Sequence, residues 1–444
     1  MKKKIFIIFL IISIISFLSF WQIASKGYDK QNKIILLIKK VIPSDIARSI
    51  RDNVFFIPKL QDRNKFLELQ LNKYEQKLNG NLFLEKKVNS KRHNYHLKKF
   101  FLPFPSLDLS LGWRSNLVFK RAHYLEIIND FVFVISGEGE TLYFKKDNIK
   151  NEKLNQNYIA NNLLKTLNEK KSKLGAIRDL YYDEDYIYIS VVELINTEST
   201  INIYRAKQNL EFLNFRIFFE SNENFASSSM LQSGGRIEKF SNDQILLSVG
   251  YGGDYTKAQD ENSILGKIIS INKKTGEHKL ISFGHRNPQG LFFLKENNLI
   301  INSEHGPQGG DEINFNFLNK KGKKNYGWPI SSYGIPYPKQ DKKFYKNNGY
   351  LKKSHLKHGF IEPFKYFTPS IGISEIIFNN QFLYISSLRA ESIYIIETND
   401  LKKIENQARI KFDSRIRDLK YDKEEDVFFL LFENIPAIGV LKFN

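Results

Sequence analysis

The sequence predicts an all-β chain, a six-bladed β-propeller preceded by an N-terminal transmembrane helix and a short helical stalk. After Pro103 and Pro105 the chain becomes short runs of Phe, Tyr, Ile, Val and Leu separated by Asn, Asp, Gly and Lys turns, the texture of many short antiparallel strands. Within that region one unit recurs six times: a small or polar residue, an apolar strand, a polar turn, and a second, more hydrophobic strand. At the other end, Lys2, Lys3 and Lys4 precede an almost unbroken apolar run from Ile5 to Ala24, about as long as a bilayer-spanning helix requires.

In chain order, the apolar run reads as an uncleaved anchor. The positive flank stays cytoplasmic and places everything after it on the outer, periplasmic or extracellular, side. A cleaved signal is the alternative, because Ala24 and Ser25 end the run with small residues; the chain is then secreted. From Lys26 to about Lys99 the sequence is polar, lysine-rich and nearly free of glycine. Phe66, Leu67, Leu69, Leu71, Tyr74 and Leu78 are spaced as on a helix that Asn79 and Gly80 end. The expected boundaries are therefore 1–25 for the anchor or signal, 26–100 for the membrane-proximal helical segment and 101–444 for the propeller.

The six repeats begin at His123 (HYLEIIND, FVFVISGEG), Ile177 (IRDLYYDED, YIYISVVE), Gly235 (GRIEKFSND, QILLSVGYG), Gln289 (QGLFFLKEN, NLIINSEHG), Ser374 (SEIIFNN, QFLYISSLR) and Ile416 (IRDLKYDKEE, DVFFLLFEN). Their spacing, roughly 40 to 85 residues, suits blades of four strands each. The innermost strand of a blade begins near the central channel, so residues at the repeat starts converge. Those positions hold Arg178 and Asp179, Arg236, Arg286 with Asn287 and Gln289, Glu375, and Arg415 with Arg417 and Asp418; Arg389 sits in a loop after a second strand. These six are more than a third of the chain's 15 arginines.

The chain has no cysteine, which excludes a disulfide framework and a thiolate metal site. Its net charge of +19 comes mostly from scattered lysine. Nucleic-acid binding is not expected, since the outward location removes that partner and no interleaved aromatic and basic platform stands out. Converging guanidinium groups admit two readings. Either they take a multiply anionic ligand, or each pairs with a local carboxylate such as Asp179, Glu375 or Asp418 and locks blades together. The stretch from Gly284 to Pro329 adds glycine and proline turns beside Glu304, Asp311 and Glu312, an oxygen-rich setting that a hard cation such as calcium requires.

The runs RNPQG, EHGPQGGDEIN and NYGWP, with SGGRIEKF and AQDENSILGKIISI upstream and PSIGISEIIF, LYISSLR and RIRDLKYD downstream, closely resemble the signature of the glucose/sorbosone dehydrogenase family. These are six-bladed propellers that use pyrroloquinoline quinone (PQQ) and calcium to oxidise a sugar or alcohol hydroxyl, and the likeness runs from about Leu231 to the C-terminus. The resemblance implies that Arg286 and Asn287 face the quinone. It implies that Gly306 and Pro307 offer main-chain oxygens to calcium, with Asp311 close by. Arg389 stands where the family often has a lysine, and Arg415 and Arg417 match an arginine pair directed at cofactor carboxylates. One position departs from the pattern: the family's general-base histidine is Gln232 here, in LQSGGR. Glutamine has no accessible conjugate acid near neutral pH. Either another group, with His305 and His285 the nearest histidines, takes the proton, or the chain is a non-catalytic propeller binding an anionic carbohydrate or a protein partner. The electron acceptor is not specified by the sequence.

Overall fold

The computed structural model describes residues 80–89, 94–104, 122–337 and 351–443. The expected apolar helix at 5–24 and the helical stretch at 66–78 lie outside the described residues. Among the described residues no helix is long and apolar enough to cross a membrane.

The described residues form six sheets, antiparallel except where Phe212–Leu213 runs parallel to Asn157–Asn161, and each predicted repeat is the first hairpin of one of them. Blade one begins with His123–Ile128 and Phe131–Ser136, blade two with Lys173–Asp183 and Tyr186–Ile195, and blade three with Gly234–Lys239 and Gln244–Val249. Blade four begins with Pro288–Leu294 and Leu299–Glu304, blade five with Ile373–Asn379 and Phe382–Ser387, and blade six with Ile416–Asp422 and Val427–Phe432. Polar turn residues set these hairpins. Glu184 and Asp185 (φ 48° and 68°), like Asn380 and Gln381 (φ 44° and 65°), adopt the paired left-handed conformation whose twist matches the flanking strands.

Two strands before the first repeat complete the last blade. Ala437–Phe443 pairs with Asn94–Phe101, which pairs in turn with Leu82–Asn89. The ring is thus closed by hydrogen bonds between chain segments more than 300 residues apart, with Tyr95 opposite Phe443 and Phe101 opposite Ala437. The expected boundary at 101 is corrected accordingly. Leu82–Asn89 and Asn94–Phe101 are strands and belong to the propeller, because Leu97, Phe100 and Phe101 bury their side chains against it.

Each junction between blades has its own apolar cluster. Phe133, Ile135, Ile177 and Ile189 fill the first, between blades one and two. Leu246, Ile268, Leu291 and Ile300 fill the one between blades three and four. Phe429, Leu431, Leu125 and Val132 seal blade six against blade one. Removing one such side chain typically costs about 2–5 kcal/mol, so the ring is a rigid frame for whatever its channel holds.

A feature of the inner strands bears directly on the site. In blades two to six the pairing register slips at one place near the channel: between Ile177 and Asp179, Gly234 and Ile237, Pro288 and Gly290, Ile373 and Ile376, and Ile416 and Asp418. Such bulges re-aim a side chain out of the alternation of a regular strand. The residues they release are Arg178, Arg236, Gln289, Glu375 and Arg417.

Candidate cofactor site at the channel mouth

The deepest of these residues is Arg236, and it touches all six blades. Its Nη1 lies 2.9 Å from Asp179 Oδ1 of blade two, 3.0 Å from Glu375 Oε2 of blade five and 2.8 Å from Asp418 Oδ1 of blade six. Its Nε donates to Gln289 O of blade four at 2.7 Å, and its guanidinium stands 4.8 Å from the Tyr124 ring of blade one. The carboxylates continue outward. Asp179 Oδ2 accepts from Ile237 N at 2.7 Å and Asp418 Oδ2 from Leu125 N at 2.8 Å. One guanidinium cannot offset three buried carboxylates, and burial pushes Glu375 up to about 8, with Asp418 and Asp179 adding to the rise and Arg236 opposing it. Arg236 is therefore a structural hub, and the interlocking reading holds for it.

Above the hub lies a second tier. Gln289 Oε1 accepts from Arg178 Nη2 and from Arg417 Nη1, each at 3.2 Å, so a neutral amide separates two guanidinium groups. Arg178 Nε also donates to Gly234 O at 2.9 Å, and no carboxylate pairs with it among the described residues. Gly235 makes room for it: a Cβ there would lie 2.3 Å from the Arg178 Cβ. Arg415 and Arg417 share one carboxylate, Arg415 Nε donating to Glu433 Oε2 at 2.9 Å and Arg417 Nε to Glu433 Oε1. Burial opposes the charge of Glu433, but the two arginines outweigh it and hold the carboxyl down at about 2. Glu433 was not among the expected site residues. It follows directly on the second strand of its repeat, Val427–Phe432, in the turn beside Arg415 and Arg417.

At the mouth, Arg286 is 7 % exposed and has no carboxylate partner among the described residues. Its Nη1 donates to His305 O at 3.0 Å and to Gly306 O at 2.8 Å, while its Nε is buried with no partner. The guanidinium stands 5.1 Å from the Trp328 ring, whose Nε1 is likewise a buried donor without a partner. Asn287 works on the neighbouring segment. Its Nδ2 donates to Leu231 O at 2.9 Å and its Oδ1 accepts from Gly234 N at 3.2 Å, gripping the chain on both sides of Gln232. Gln232 ends a short 3-10 turn, Ser227–Gln232, with its Oε1 buried and unpartnered.

The loop expected to hold calcium is occupied differently. Gly306 O is taken by Arg286, and Pro307 O accepts a long bond of 3.4 Å from Tyr337. Asp311 is buried, and its oxygens accept from Gly306 N at 3.1 Å, Ser370 Oγ at 2.9 Å, Gly372 N at 2.8 Å and Ile373 N at 3.1 Å. Burial opposes its charge, but His305 and these donors outweigh it and keep the carboxyl below its ordinary value. Asp311 is thus an anchor for the loop rather than a cation ligand. Among the described residues no group of three or more His, Asp or Glu side chains could hold a metal ion. Side chains alone do not make a cation site here, while the main-chain oxygens of Gly306 and Pro307 each keep a lone pair to offer one. Two orphaned donors and a guanidinium that no carboxylate offsets lie at one mouth, and their chemistry suits anionic or carbonyl oxygens such as those of the quinone.

Two expected participants stand apart. Arg389 is exposed, and among the described residues nothing is bonded to its guanidinium. His285 is sealed from solvent, its Nε2 2.8 Å from Ser282 Oγ and its Nδ1 2.9 Å from Glu304 Oε2, with its ring stacked on Tyr326. It cannot reach a ligand. His305 borders the mouth beside Arg286, Glu304, Trp328 and His355, around a cavity of about 10 Å³, room for a single water. His355 is buried 3.3 Å from Glu312 Oε1. Burial disfavours its charge, but Glu312 outweighs this and raises its pKa. It comes from the loop between Ser331 and Phe367, where a lone histidine gives no sequence signal.

The described residues thus define a closed six-bladed propeller with arginines gathered at its axis and unpartnered donors at its mouth. The family model described as Glucose / Sorbosone dehydrogenase matches residues 174–436, and the chain belongs to that family. Aldose sugar dehydrogenase YliI of Escherichia coli (strain K12) is 29 % identical over 227 residues, covering 45 % of this chain and 57 % of that protein. Quinoprotein glucose dehydrogenase B of Acinetobacter calcoaceticus is 38 % identical over 82 residues, 16 % of each chain. The chain spans about half the length of the first curated relatives it matches. Among solved structures, the apo form of the soluble aldose sugar dehydrogenase of Escherichia coli superposes with a TM-score of 0.58 at 20 % identity, over 73 % of this chain and 97 % of that one. The PQQ-bound aldose sugar dehydrogenase of Streptomyces coelicolor gives 0.56 at 17 %, over 73 % and 95 %. These likenesses establish the fold.

Proposed function

We propose that the chain is a PQQ-dependent dehydrogenase of a sugar (aldose) or alcohol hydroxyl, held at a membrane by residues 5–24 with its propeller on the outer side. The observation that carries the reading is the pair of buried, unpartnered donors at the mouth, Arg286 Nε and Trp328 Nε1, beside a guanidinium that no carboxylate offsets. PQQ bound there would supply the two-electron acceptor. Arg286 would hold and polarise an oxygen of the bound group, since a charge-assisted bond in a water-poor site is worth more than one in solvent. Trp328 and Tyr251 flank that guanidinium and exclude water. Arg178 and the Arg415–Arg417 pair supply positive field from below, the pair only in part because Glu433 lies between its members. Calcium, if bound, would be held by the main-chain oxygens of Gly306 and Pro307, since a carbonyl that accepts from Arg286 keeps a second lone pair.

The family relation and the sugar dehydrogenases among the relatives support the chemistry, and the apolar run after Lys2–Lys4 supports the anchor. Adding PQQ to the purified protein is expected to give a bound-quinone absorption band, and adding an aldose to give dye reduction. The absence of a band at micromolar PQQ would sink the cofactor assignment. Membrane fractionation followed by protease treatment of intact cells tests the anchor and its orientation. A second reading, a non-catalytic propeller, is favoured by Gln232, which can accept a hydrogen bond from a hydroxyl but cannot take its proton. It predicts binding without turnover.

A further inference from the structure

A groove of about 600 Å³ opens between blades two and three, a volume in the range that encloses small organic ligands. Its walls are the turn carrying Glu198, the segment from Asn224 to Ser229, and the loop carrying Asp254, Tyr255 and Thr256. Its inner end abuts Gln232. Gly253 (φ 84°) lies so close that a Cβ on it would stand 2.3 Å from Ser229 Oγ and 3.3 Å from Gln232 Oε1. Tyr255 joins the groove to the mouth, its ring 5.8 Å from Trp328, which stands 5.1 Å from the Arg286 guanidinium.

The lining chemistry is selective. Although the chain carries a net charge of +19, no lysine, arginine or histidine lines the groove among the described residues. Its two charges are both negative and both held in place. Asp254 Oδ1 accepts from Thr256 N at 2.9 Å and from Thr256 Oγ1 at 2.7 Å, and Glu198 Oε2 accepts from Asn224 Nδ2 at 2.8 Å. Among the described residues no donor is bonded to Asp254 Oδ2 or Glu198 Oε1. Fixed carboxylate oxygens, hydroxyls and an amide suit a ligand rich in hydroxyl donors, and the Tyr255 ring offers an apolar face. A carboxylate on the ligand would meet two like charges with no cation to offset them.

We propose that this groove binds a sugar-sized polyol, uncharged or bearing an amino group, and excludes acidic sugars; as the entry route to the reacting centre it rests on the dehydrogenase reading above. The opposite charges of mouth and groove then divide the work, acidic cofactor on the arginines and non-acidic substrate beside Gln232.

The test is calorimetric or NMR titration of the full chain without PQQ, using glucose, glucosamine and glucuronate. Glucose and glucosamine are expected to bind saturably, and glucuronate at least about threefold more weakly, the scale of an exposed charge interaction. Asp254→Asn, which keeps the oxygen that caps Thr256 but turns the free acceptor into an amide donor, should lower glucosamine affinity by about threefold to fivefold more than it lowers glucose affinity. Glu198→Gln should act the same way. Glucuronate binding as tightly as glucose, saturable binding of none of the three, or carboxylate variants that leave glucosamine affinity unchanged would each overturn the assignment. PQQ titration is read separately. Loss of the quinone band with sugar selectivity intact removes the cofactor reading alone, while a normal band with no selectivity removes this one alone.

Discussion

Replacing Arg236 with methionine tests the hub directly, since Met keeps much of the side-chain length and removes the charge. In the wild type one guanidinium faces Asp179, Glu375 and Asp418 within 3.0 Å. Lys420 stands nearby, 3.0 Å from Glu126, and adds its field to the same carboxylates. Breaking a buried ion pair by removing one partner costs about 3–5 kcal/mol, because the other charge stays buried and unpaired. The carboxylates can evade part of that cost by taking up protons. Burial already raises Glu375 from 4.5 to about 8, so in the wild type this group binds a proton more readily folded than unfolded, and its contribution to stability falls as pH rises between those values. Arg236 opposes the rise at Glu375 and at Asp179, so without it both titrate higher still. Arg236→Met should therefore lose about 3–5 kcal/mol at pH 8 and clearly less at pH 6, where Glu375 is protonated. Denaturant unfolding followed by tryptophan fluorescence at the two pH values measures both losses. Wild-type stability at pH 8, or an equal loss at both, would refute the hub.

Other perturbations separate the tiers. Glu433→Gln leaves Arg415 and Arg417 facing each other, and should cost about 2–3 kcal/mol at neutral pH. The wild-type contribution of Glu433 is present above about 4.5, the ordinary value, and is lost as pH falls toward about 2, so the variant's acid unfolding should be flatter in that window. Arg286→Ala should weaken PQQ roughly tenfold to a hundredfold, the worth of a charge-assisted bond, with little change in melting temperature; an unchanged quinone titration would remove Arg286 from the site. Gln232→His should raise turnover by up to about 100- to 10,000-fold if the chain is a dehydrogenase lacking its base, and should give no turnover if it is a binding module.

The propeller was legible because each blade carries its own strand, turn and strand, a pattern set by neighbours in sequence. The closing strands were not. LFLEKKVN and NYHLKKFF are half lysine-bearing edge, and what makes them strands is Ala437–Phe443, far along the chain. The bulges were invisible for a related reason: a one-residue slip at Arg178 or Arg417 exists only relative to the strand opposite. The arginines could be placed at the channel from repeat position alone, but their partners could not. Arg236 met three carboxylates, Arg415 and Arg417 met Glu433, and Arg389 met solvent. Repeat position brought the arginines together, and only the register decided which of them still lack a carboxylate partner.

That division bears on what Gln232 can do. Its backbone is held by Asn287 on both sides and by Gly252 N, which donates to Gln232 O at 3.1 Å, so the position is fixed whatever side chain it bears. The side chain is not satisfied in return, since Oε1 is buried without a donor, a state that costs about 1–3 kcal/mol until one arrives. Gly253, which lines the groove, packs against that oxygen, and a ligand hydroxyl that reached it would supply the donor and recover that energy. Proton removal is a separate requirement. His285 is sealed behind Tyr326 and Glu304, whereas His305 reaches the mouth with Asp311 3.8 Å behind it. Binding at Gln232 and proton transfer are therefore separable here, and the Gln232→His variant reunites them on one side chain that the backbone already holds in place.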